Sequence, residues 1–285
     1  MMPSEDRVLV AAVVQLCSQS DVGDNLRRAG KLVEAAALAG AKLVALPENF
    51  AFMGEEAQKR ALAEPLGPVG AGGTNGARGP IVTFVRDTAK RYGIHLVAGG
   101  FPEKSSDAAR PFNTSLLAGP DGNIVAAYRK IHLFDVSLPD GTTLKESAAN
   151  SPGDERVTAS IGDAVLGMTI CYDVRFPELY RTLTRRGARI VTVPSAFTVP
   201  TGKDHWHVLL RARAIENQVF VLAPGQHGKH PLGRQTYGKS VIIDPWGDVL
   251  AQAGEGEGFA LARLDFAYQD RVRAALPCLD HVRLL

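Results

Sequence analysis

The sequence predicts an α/β protein in which buried strands alternate with amphipathic helices, and three observations support this. Short apolar runs at Val8–Val14 and Lys42–Leu46 lie on either side of a helical pattern at Gly23–Gly40, which gives β-α-β order. The turn residues from Pro120 to Asn123 separate two further apolar runs and predict a hairpin. The 285 residues are 45% hydrophobic and 22% charged, which suits a protein with a sizeable core. We therefore expect a single layered α/β domain.

In the first half of the chain, the β-α-β unit is followed by a loop, a helix and three strands. Glycine and proline dominate Ala63–Gly79, which predicts a long surface loop. Apolar side chains recur on one face of Pro80–Tyr92, so we expect a helix there. The predicted strands are Ile94–Gly100, Phe112–Ala118 and Asn123–Tyr128, and the last two form the hairpin.

The second half of the chain contains more strands than helices. His132–Asp154 has no clear period, which predicts loop and short turns. Lys203–Asn217 is the strongest helix, because its apolar residues recur at three- and four-residue spacing. Asp265–Leu285 is a tail to which the pattern assigns no class. The predicted strands are Val157–Ser160, Ala164–Thr169, Arg189–Val193, Gln218–Ala223, Tyr237–Ile243, Asp248–Ala251 and Phe259–Leu264.

The stretch Val165–Arg181 carries the strongest indication of chemistry. An apolar run ends abruptly at Cys171, polar residues follow, and Pro177 stands where a helix could begin. This order predicts a buried strand, a tight elbow that carries a thiol, and then a helix. Such an elbow lifts its side chain into a crevice, near backbone N–H groups that can stabilise an oxyanion. The alternative is that Cys171 is a small core residue, which is the usual fate of a free cysteine.

Two other reactive residues share this placement at the ends of predicted strands. Glu48 follows Leu43–Leu46, and Lys130 follows Val125–Tyr128. Ligands of layered α/β proteins bind in the crevice at the carboxyl ends of strands, so Glu48, Lys130 and Cys171 could converge there. The alternative is that Glu48 is a cap, Lys130 a surface charge and Cys171 core filler. The spacing permits a shared site without establishing it.

Composition and charge argue against several classes of partner. The net charge of +2 gives no general attraction to nucleic acid or membranes. No apolar run approaches the ~18 residues of a membrane helix, and the N-terminus lacks the basic start of a signal peptide. Three cysteines in 285 residues do not make a disulfide framework, so we expect a reducing, cytoplasmic compartment.

The surrounding sequence argues against a phosphate-binding loop and against a metal site. Gly233–Ser240 matches the pattern G-x-x-x-x-G-K-S of nucleotide-binding loops, but such a loop must open a helix. Here an apolar run, Val241–Ile243, follows at once and predicts a strand, so we expect no nucleotide site. The seven histidines have no paired metal-ligand spacing, which argues against a structural zinc site.

Three segments of the chain resemble the signature segments of the nitrilase superfamily of carbon–nitrogen hydrolases. They are ALPENF (45–50), YRKIHLFD (128–135) and ICYDVRFPELYR (170–181), and the similarity extends through 194–218 and 237–251. Within the superfamily, the amino-acid sequence of these segments most resembles that of the Nit branch. The resemblance implies a four-layer α-β-β-α sandwich of the nitrilase type, formed as one domain over residues 1–285. It also implies a homodimer or higher homo-oligomer, with the tail from about residue 265 at a subunit interface.

The resemblance also implies the catalytic residues. Glu48, Lys130 and Cys171 match the superfamily's triad, and Glu146 matches a second glutamate beside it. Cys171 would attack an amide carbonyl with Glu48 as proton acceptor, since a thiol with a pKa of about 8.5 is mostly protonated at neutral pH. Lys130, whose ammonium favours the thiolate, would hold the oxyanion together with the Tyr172 backbone N–H. This chemistry needs no metal and no organic cofactor.

Other residues are candidates for substrate contact. Arg175 could bind a substrate carboxylate, or it could form an ion pair with Asp173 or Glu178. Phe197 and Thr198 follow the end of a predicted strand, so we expect them to line the pocket. His207 stands where relatives usually carry glutamate, which leaves any substrate contact at that position open.

The function implied by the resemblance is that of an amidase. It would act on a small carboxylate-bearing amide through a cysteine thioester and release ammonia or an amine. Deaminated glutathione is the leading candidate substrate. The alternatives are an ω-amidase for α-keto acid amides, an N-carbamoyl amino acid hydrolase, and a non-catalytic scaffold that keeps the fold. We expect a small-molecule amide as the partner, and neither nucleic acid nor a membrane.

Overall fold

The computed structural model describes residues 7–67, 69, 79–137 and 143–284. Part of the predicted loop Ala63–Gly79 lies outside these residues. The strands in chain order are β1 Val8–Gln15, β2 Leu43–Leu46, β3 His95–Glu103, β4 Phe112–Ala118, β5 Ile124–Arg129, β6 Asp135–Ser137, β7 Thr143–Lys145, β8 Thr158–Ile161, β9 Ala164–Met168, β10 Ile190–Thr192, β11 Phe220–Ala223, β12 His227–Lys229, β13 Gln235–Tyr237, β14 Val241–Ile243, β15 Val249–Gln252 and β16 Gly258–Asp265. The helices are α1 Val22–Leu38, α2 Glu56–Ala61, α3 Pro80–Tyr92, α4 Pro177–Arg185, α5 Val199–Asn217 and α6 Phe266–Ala275.

Most strands belong to two six-stranded sheets. The first has the order β16-β1-β2-β3-β4-β5 and the second the order β15-β14-β11-β10-β9-β8. In the first sheet β1, β2 and β3 are parallel, and β4 and β5 follow as an antiparallel hairpin, so β5 runs in the same direction as β2. The carboxyl ends of β2 and β5 therefore lie at the same edge. These ends carry Glu48 and Lys130.

Both faces of the sheets are buried, which explains the continuous apolar runs of the central strands. In β1, Ala11 and Val13 face the core between the two sheets, while Ala12 and Val14 belong to the core beneath α1 and α3. A third core packs the second sheet against α4 and α5, with Leu210 at its centre. The layers are thus α-β-β-α, and the predicted fold class is confirmed. No helix in the described ranges is long and apolar enough to cross a bilayer.

Two helices differ from their sequence predictions. Helix α5 begins at Val199 rather than at Lys203, because Pro200 suits the first turn of a helix, where its missing N–H is not needed. Helix α6 forms in the tail to which the pattern assigned no class. There Gln269 Nε2 donates hydrogen bonds of 2.9 Å to Arg189 O and to Gln218 O, which attach α6 to the end of the second sheet.

The predicted strand Tyr237–Ile243 is interrupted. Gly238 and Lys239 have φ angles of +70° and +56°, so the chain turns between β13 and β14. Strand β13 pairs with β12, whereas β14 joins the second sheet beside β11. The predicted strand after Ser240 is confirmed, so Gly233–Ser240 does not open a helix as a phosphate-binding loop would. The predicted loop His132–Asp154 contains the short hairpin of β6 and β7.

Candidate active site

Cys171 occupies a strained turn just after β9. Its φ angle is +48°, in the left-handed region that residues with a side chain rarely adopt. Three hydrogen bonds hold this turn: Cys171 N–H donates to Pro194 O (2.9 Å), Ile170 N–H to Asp173 Oδ2 (2.8 Å), and Asp173 N–H to Ile170 O (3.1 Å). A 3₁₀ turn then leads into α4. The structure thus contains the predicted order of strand, elbow and helix.

Glu48 lies just beyond β2, and hydrogen-bond donors surround its carboxylate. Oε1 accepts from Lys130 Nζ (3.0 Å) and Asn113 Nδ2 (2.9 Å), and Oε2 accepts from Ala196 N–H (3.0 Å). Gly100 makes room for this arrangement, since a Cβ at that position would lie 2.9 Å from Glu48 Cγ. Burial disfavours the carboxylate, but the charge of Lys130 and its hydrogen bond outweigh burial and lower the pKa of Glu48. Glu48 is therefore ionised at neutral pH.

Lys130 is buried between two carboxylates, with a side chain that is 2% exposed. Nζ donates to Glu48 Oε1 (3.0 Å), to Glu146 Oε2 (2.8 Å) and to Glu146 Oε1 (3.1 Å). Burial disfavours the ammonium, but the charges of Glu146 and Glu48 prevail and raise the pKa of Lys130 well above its usual value. Two carboxylates and one ammonium thus leave one net negative charge beside Cys171.

Asn113 and the Ala196 N–H are parts of this cluster that sequence reasoning missed. Asn113 Nδ2 donates to Glu48 Oε1 (2.9 Å) and to Glu146 Oε1 (3.4 Å), so it bridges the two carboxylates. Lys130 N–H in turn donates to Asn113 O (2.9 Å), which places the amide beside the ammonium. Asn113 is one of three consecutive polar residues (113–115) in the hairpin strand Phe112–Ala118, and this polar run was the available signal. The Ala196 N–H leaves no signal in the sequence, because any residue supplies it.

The thiol of Cys171 is neutral in the free protein at neutral pH. Burial and the charge of Glu48 raise the pKa of this thiol well above its usual value. Lys130 acts in the predicted direction and lowers the pKa, as does the Ala196 N–H, but these effects are smaller. The site therefore holds a protonated nucleophile beside an ionised carboxylate, so the proton has an acceptor when the sulfur reacts.

A second buried carboxylate ties the segment of Lys130 to the elbow of Cys171. Asp173 Oδ2 accepts from Tyr128 O–H (2.7 Å), and Asp173 Oδ1 lies 2.7 Å from His132 Nδ1. The His132 ring stacks on Phe176 with 3.6 Å between ring centroids. Asp173 thus joins residues on both sides of Lys130 to the turn that carries the thiol.

The predicted substrate contacts lie on one side of the thiol. Tyr172, Arg175, Phe197 and Thr198 line a cavity of about 20 Å³ next to Cys171. The Arg175 guanidinium carbon lies 5.8 Å from the centroid of the Tyr172 ring and 5.5 Å from that of the Phe197 ring. Among the described residues, Arg175 pairs with neither of the acids considered in the sequence; its guanidinium lies 3.3 Å from a histidine nitrogen instead.

His207 does not take part in this site. Its Nε2 lies 2.6 Å from Gln252 Oε1, and its ring meets the edge of the Tyr237 ring. Neither of the cavities beside Cys171 has His207 in its wall. The histidine at this position, where relatives usually carry glutamate, therefore takes part in the contact between α5 and β15.

The cluster of charged side chains opens onto a cavity of about 240 Å³. Glu48, Lys130, Glu146 and Cys171 lie on its wall, together with Phe134. The structure therefore brings the four residues predicted as catalytic to one accessible point, although they come from separate parts of the chain. Their roles in a reaction are a further step.

Comparisons with a family model, with related sequences and with solved structures all agree on one family. The family described as carbon–nitrogen hydrolase matches residues 10–274. A deaminated glutathione amidase of Synechocystis is 45% identical over 275 residues, which are 95% of this chain and 97% of that protein. The human deaminated glutathione amidase is 40% identical over 281 residues, covering 96% and 82% of the two chains. The crystal structure of Saccharomyces cerevisiae Nit3, of branch 10 of the nitrilase superfamily, is 35% identical, covers 96% and 97% of the chains, and has a TM-score of 0.84.

We expect Lys130→Met to destabilise the protein by about 3–5 kcal/mol at neutral pH, because the buried carboxylate of Glu48 and the partly buried carboxylate of Glu146 lose their cation. Without the ammonium, burial raises the folded-state pKa of Glu48 above its unfolded value. The stability of the variant is then lost as the pH rises and is retained where the Glu48 carboxyl is protonated. Urea unfolding at about pH 7 and about pH 5 should therefore show a smaller deficit relative to wild type at the lower pH.

The matched control is Lys31→Met, which removes an exposed lysine on α1. We expect this control to stay within about 0.5 kcal/mol of wild type at both pH values. A Lys130→Met protein as stable as the control would contradict the pairing described above.

Proposed function

Since the chain belongs to the carbon–nitrogen hydrolase family, we propose that it hydrolyses a small carboxylate-bearing amide through a thioester at Cys171, with deaminated glutathione as the substrate. The family match over residues 10–274 confirms the predicted resemblance and the predicted class of enzyme. The observation that carries the proposed chemistry is the contact of Glu48, Lys130 and Glu146 in one buried cluster on the cavity that holds the thiol. The choice of substrate is supported by relatives of 45% and 40% identity that are named deaminated glutathione amidase.

In the first half of the proposed reaction, the Cys171 sulfur attacks the amide carbonyl carbon while Glu48 takes the thiol proton. A sulfur–carbon bond forms, and the carbonyl oxygen becomes an oxyanion. Lys130 Nζ and the Tyr172 N–H stabilise this oxyanion, and such a donor is typically worth about 2.7–4 kcal/mol. The neighbouring N–H groups of Cys171 and Asp173 already donate to backbone carbonyls, which supports Tyr172 as the available donor.

Collapse of this intermediate breaks the carbon–nitrogen bond. Glu48 returns its proton to the nitrogen, which leaves as ammonia or an amine and takes its electron pair with it. Glu48 then removes a proton from water, the hydroxide attacks the thioester carbonyl, and the carboxylic acid leaves as the thiol is restored. Glu146 acts in this scheme by fixing Lys130, which it contacts with both carboxylate oxygens.

We further propose a homodimer in a reducing, cytoplasmic compartment. Apolar side chains on the surface support a subunit interface at α5 and the adjoining hairpin: Val208 is 66% exposed, Ile215 45% and Trp246 55%. The side chains of Cys17, Cys171 and Cys278 are all free thiols, which supports the compartment. The single-domain assignment, and the place of the tail from about residue 265 at the interface, stay predictions.

We expect Cys171→Ala to keep the fold and to lose the release of ammonia or amine from every substrate, because the sulfur that forms the thioester is gone. The panel should contain deaminated glutathione, an α-keto acid amide and an N-carbamoyl amino acid, and the last of these also yields carbon dioxide. Cys17→Ala is the matched control and should turn over like wild type. Turnover by Cys171→Ala would contradict the proposed nucleophile, and a preference for another member of the panel would contradict the substrate.

We expect Glu48→Gln to lower turnover by about 10²–10⁴-fold, since it removes the proposed acid–base group. The same change should make the Cys171 thiol easier to ionise, because the negative charge that raises its pKa is removed. Alkylation of Cys171 by iodoacetamide, followed by peptide mass across a pH series, should therefore reach its midpoint at lower pH in the variant. An unchanged or higher midpoint would show that Glu48 does not control this thiol.

A further inference from the structure

The backbone of Glu48 lies outside the hydrogen-bond ladder of the first sheet. Strand β2 ends at Leu46, so the pairing of β2 with its neighbours does not extend to Glu48. The next residue, Asn49, has a φ angle of +59°, and its N–H donates to Gly100 O (2.9 Å). The chain thus turns sharply directly after Glu48. Contacts from outside the strand must therefore hold this residue in place.

The side-chain amide of Gln226 supplies such a contact. Gln226 is fully buried, and its Nε2 donates to Glu48 O (3.0 Å) and to Ser18 Oγ (2.8 Å). Its Oε1 accepts from the Ser18 N–H (3.0 Å), so the amide cannot rotate without losing several hydrogen bonds. Ser18 Oγ in turn donates to Phe50 O (2.9 Å). Gln226 and Ser18 together therefore hold the chain on both sides of Asn49.

The backbone of Gln226 connects this contact to the donor that binds the Glu48 carboxylate. The Gln226 N–H donates to Ser195 O (2.9 Å), and the Ser195 N–H donates to Pro224 O (2.9 Å). The residue after Ser195 is Ala196, whose N–H donates to Glu48 Oε2 (3.0 Å). Two hydrogen-bonded segments of the second sheet thus hold Glu48 at both ends, at its carbonyl oxygen and at its carboxylate.

We propose that Gln226 is a positioning residue for the reaction, and that it holds the Glu48 carboxylate where it exchanges a proton with the Cys171 sulfur and with the leaving nitrogen. This inference rests on the proposed function and adds a residue that lines neither cavity beside Cys171. A misplacement of about 1 Å in a reacting group can lower the rate by about 10²-fold. Without the Gln226 amide, Glu48 would keep its charge but lose its fixed position.

Gln269 offers a matched control for the loss of a buried amide. It is also fully buried, its Nε2 donates two hydrogen bonds, and its Oε1 accepts one from Arg189 Nε (2.7 Å). Its partners, Arg189 and Gln218, precede β10 and β11, whereas Gln226 follows β11. Gln269 therefore lies at the edge of the second sheet opposite to the site. Replacement of either glutamine by methionine removes the same number of side-chain hydrogen bonds.

We expect Gln226→Met to lower kcat by about 10–100-fold and to change KM by less than about three-fold, because Glu48 acts in the chemical steps and not in binding. Gln269→Met should lower the urea midpoint of unfolding by a similar amount, yet keep kcat within about two-fold of wild type. The substrate for both is the member of the amide panel that wild type cleaves fastest.

A double-mutant cycle with Glu48→Gln separates positioning from a merely structural role. In the Glu48→Gln background the carboxylate is already gone, so we expect Gln226→Met to lower kcat by less than about two-fold further. A role in folding alone would lower the activity by the same factor in both backgrounds. Ser18→Ala is a milder second variant, which removes the hydroxyl that accepts from Gln226 Nε2. It should lower kcat by about 3–10-fold, again only where Glu48 is present.

The possible outcomes separate this inference from the proposed function. If Gln226→Met matches Gln269→Met in kcat, or loses the same factor with and without Glu48, the inference is wrong and the proposed function stands. Should Gln226→Met fail to fold, Ser18→Ala decides by the same comparison of the two backgrounds. If Cys171→Ala still turns over, or if Glu48→Gln is as active as wild type, the proposed function fails and the inference fails with it.

Discussion

The ammonium of Lys130 is the charge on which the rest of the site depends. A buried cation is stable only where carboxylates compensate its lost hydration, and here Glu48 and Glu146 do so at 2.8–3.1 Å. Glu48 in turn accepts from the Ala196 N–H, which follows a strand of the second sheet. The ion cluster therefore connects the two sheets at the edge where the thiol lies.

This electrostatic balance determines how the nucleophile is used. A cysteine beside a lone cation would exist largely as thiolate and would be open to oxidation. In this protein burial and the negative charge of Glu48 outweigh the effect of Lys130, so the thiol stays protonated while Glu48 stays ionised. In the proposed reaction the sulfur therefore loses its proton to Glu48 as it attacks the carbonyl carbon.

Much of this arrangement could be predicted from the sequence, because it is recorded in local patterns. The apolar run that ends at Cys171 predicts the elbow, and the positions of Glu48 and Lys130 after strands predict a shared edge. The direction of β5 relative to β2 is what turns this placement into contact, and that direction depends on pairing with β4. The resemblance to a family adds Glu146, which lies in a loop without a regular pattern.

The remaining features could not be predicted because they depend on tertiary contacts. The amide of Asn113 matters only because its strand lies beside the end of β5, and the Ala196 N–H is a backbone group that any residue provides. Helix α6 is fixed by the contacts of Gln269 with two backbone carbonyls of other elements. The break at Gly238 and Lys239 separates two sheets, although the apolar pattern continues through it.

We propose that Cys171 forms a covalent acyl-enzyme during turnover. The most direct measurement is to mix enzyme with excess deaminated glutathione, quench with acid within the first turnovers, and determine the mass of the intact protein and its peptides. We expect a mass increase equal to the acyl portion, confined to the peptide that contains Cys171 and removed by hydroxylamine. Steady release of product, with every quenched sample showing an unmodified Cys171 peptide and an adduct on another residue, would contradict it.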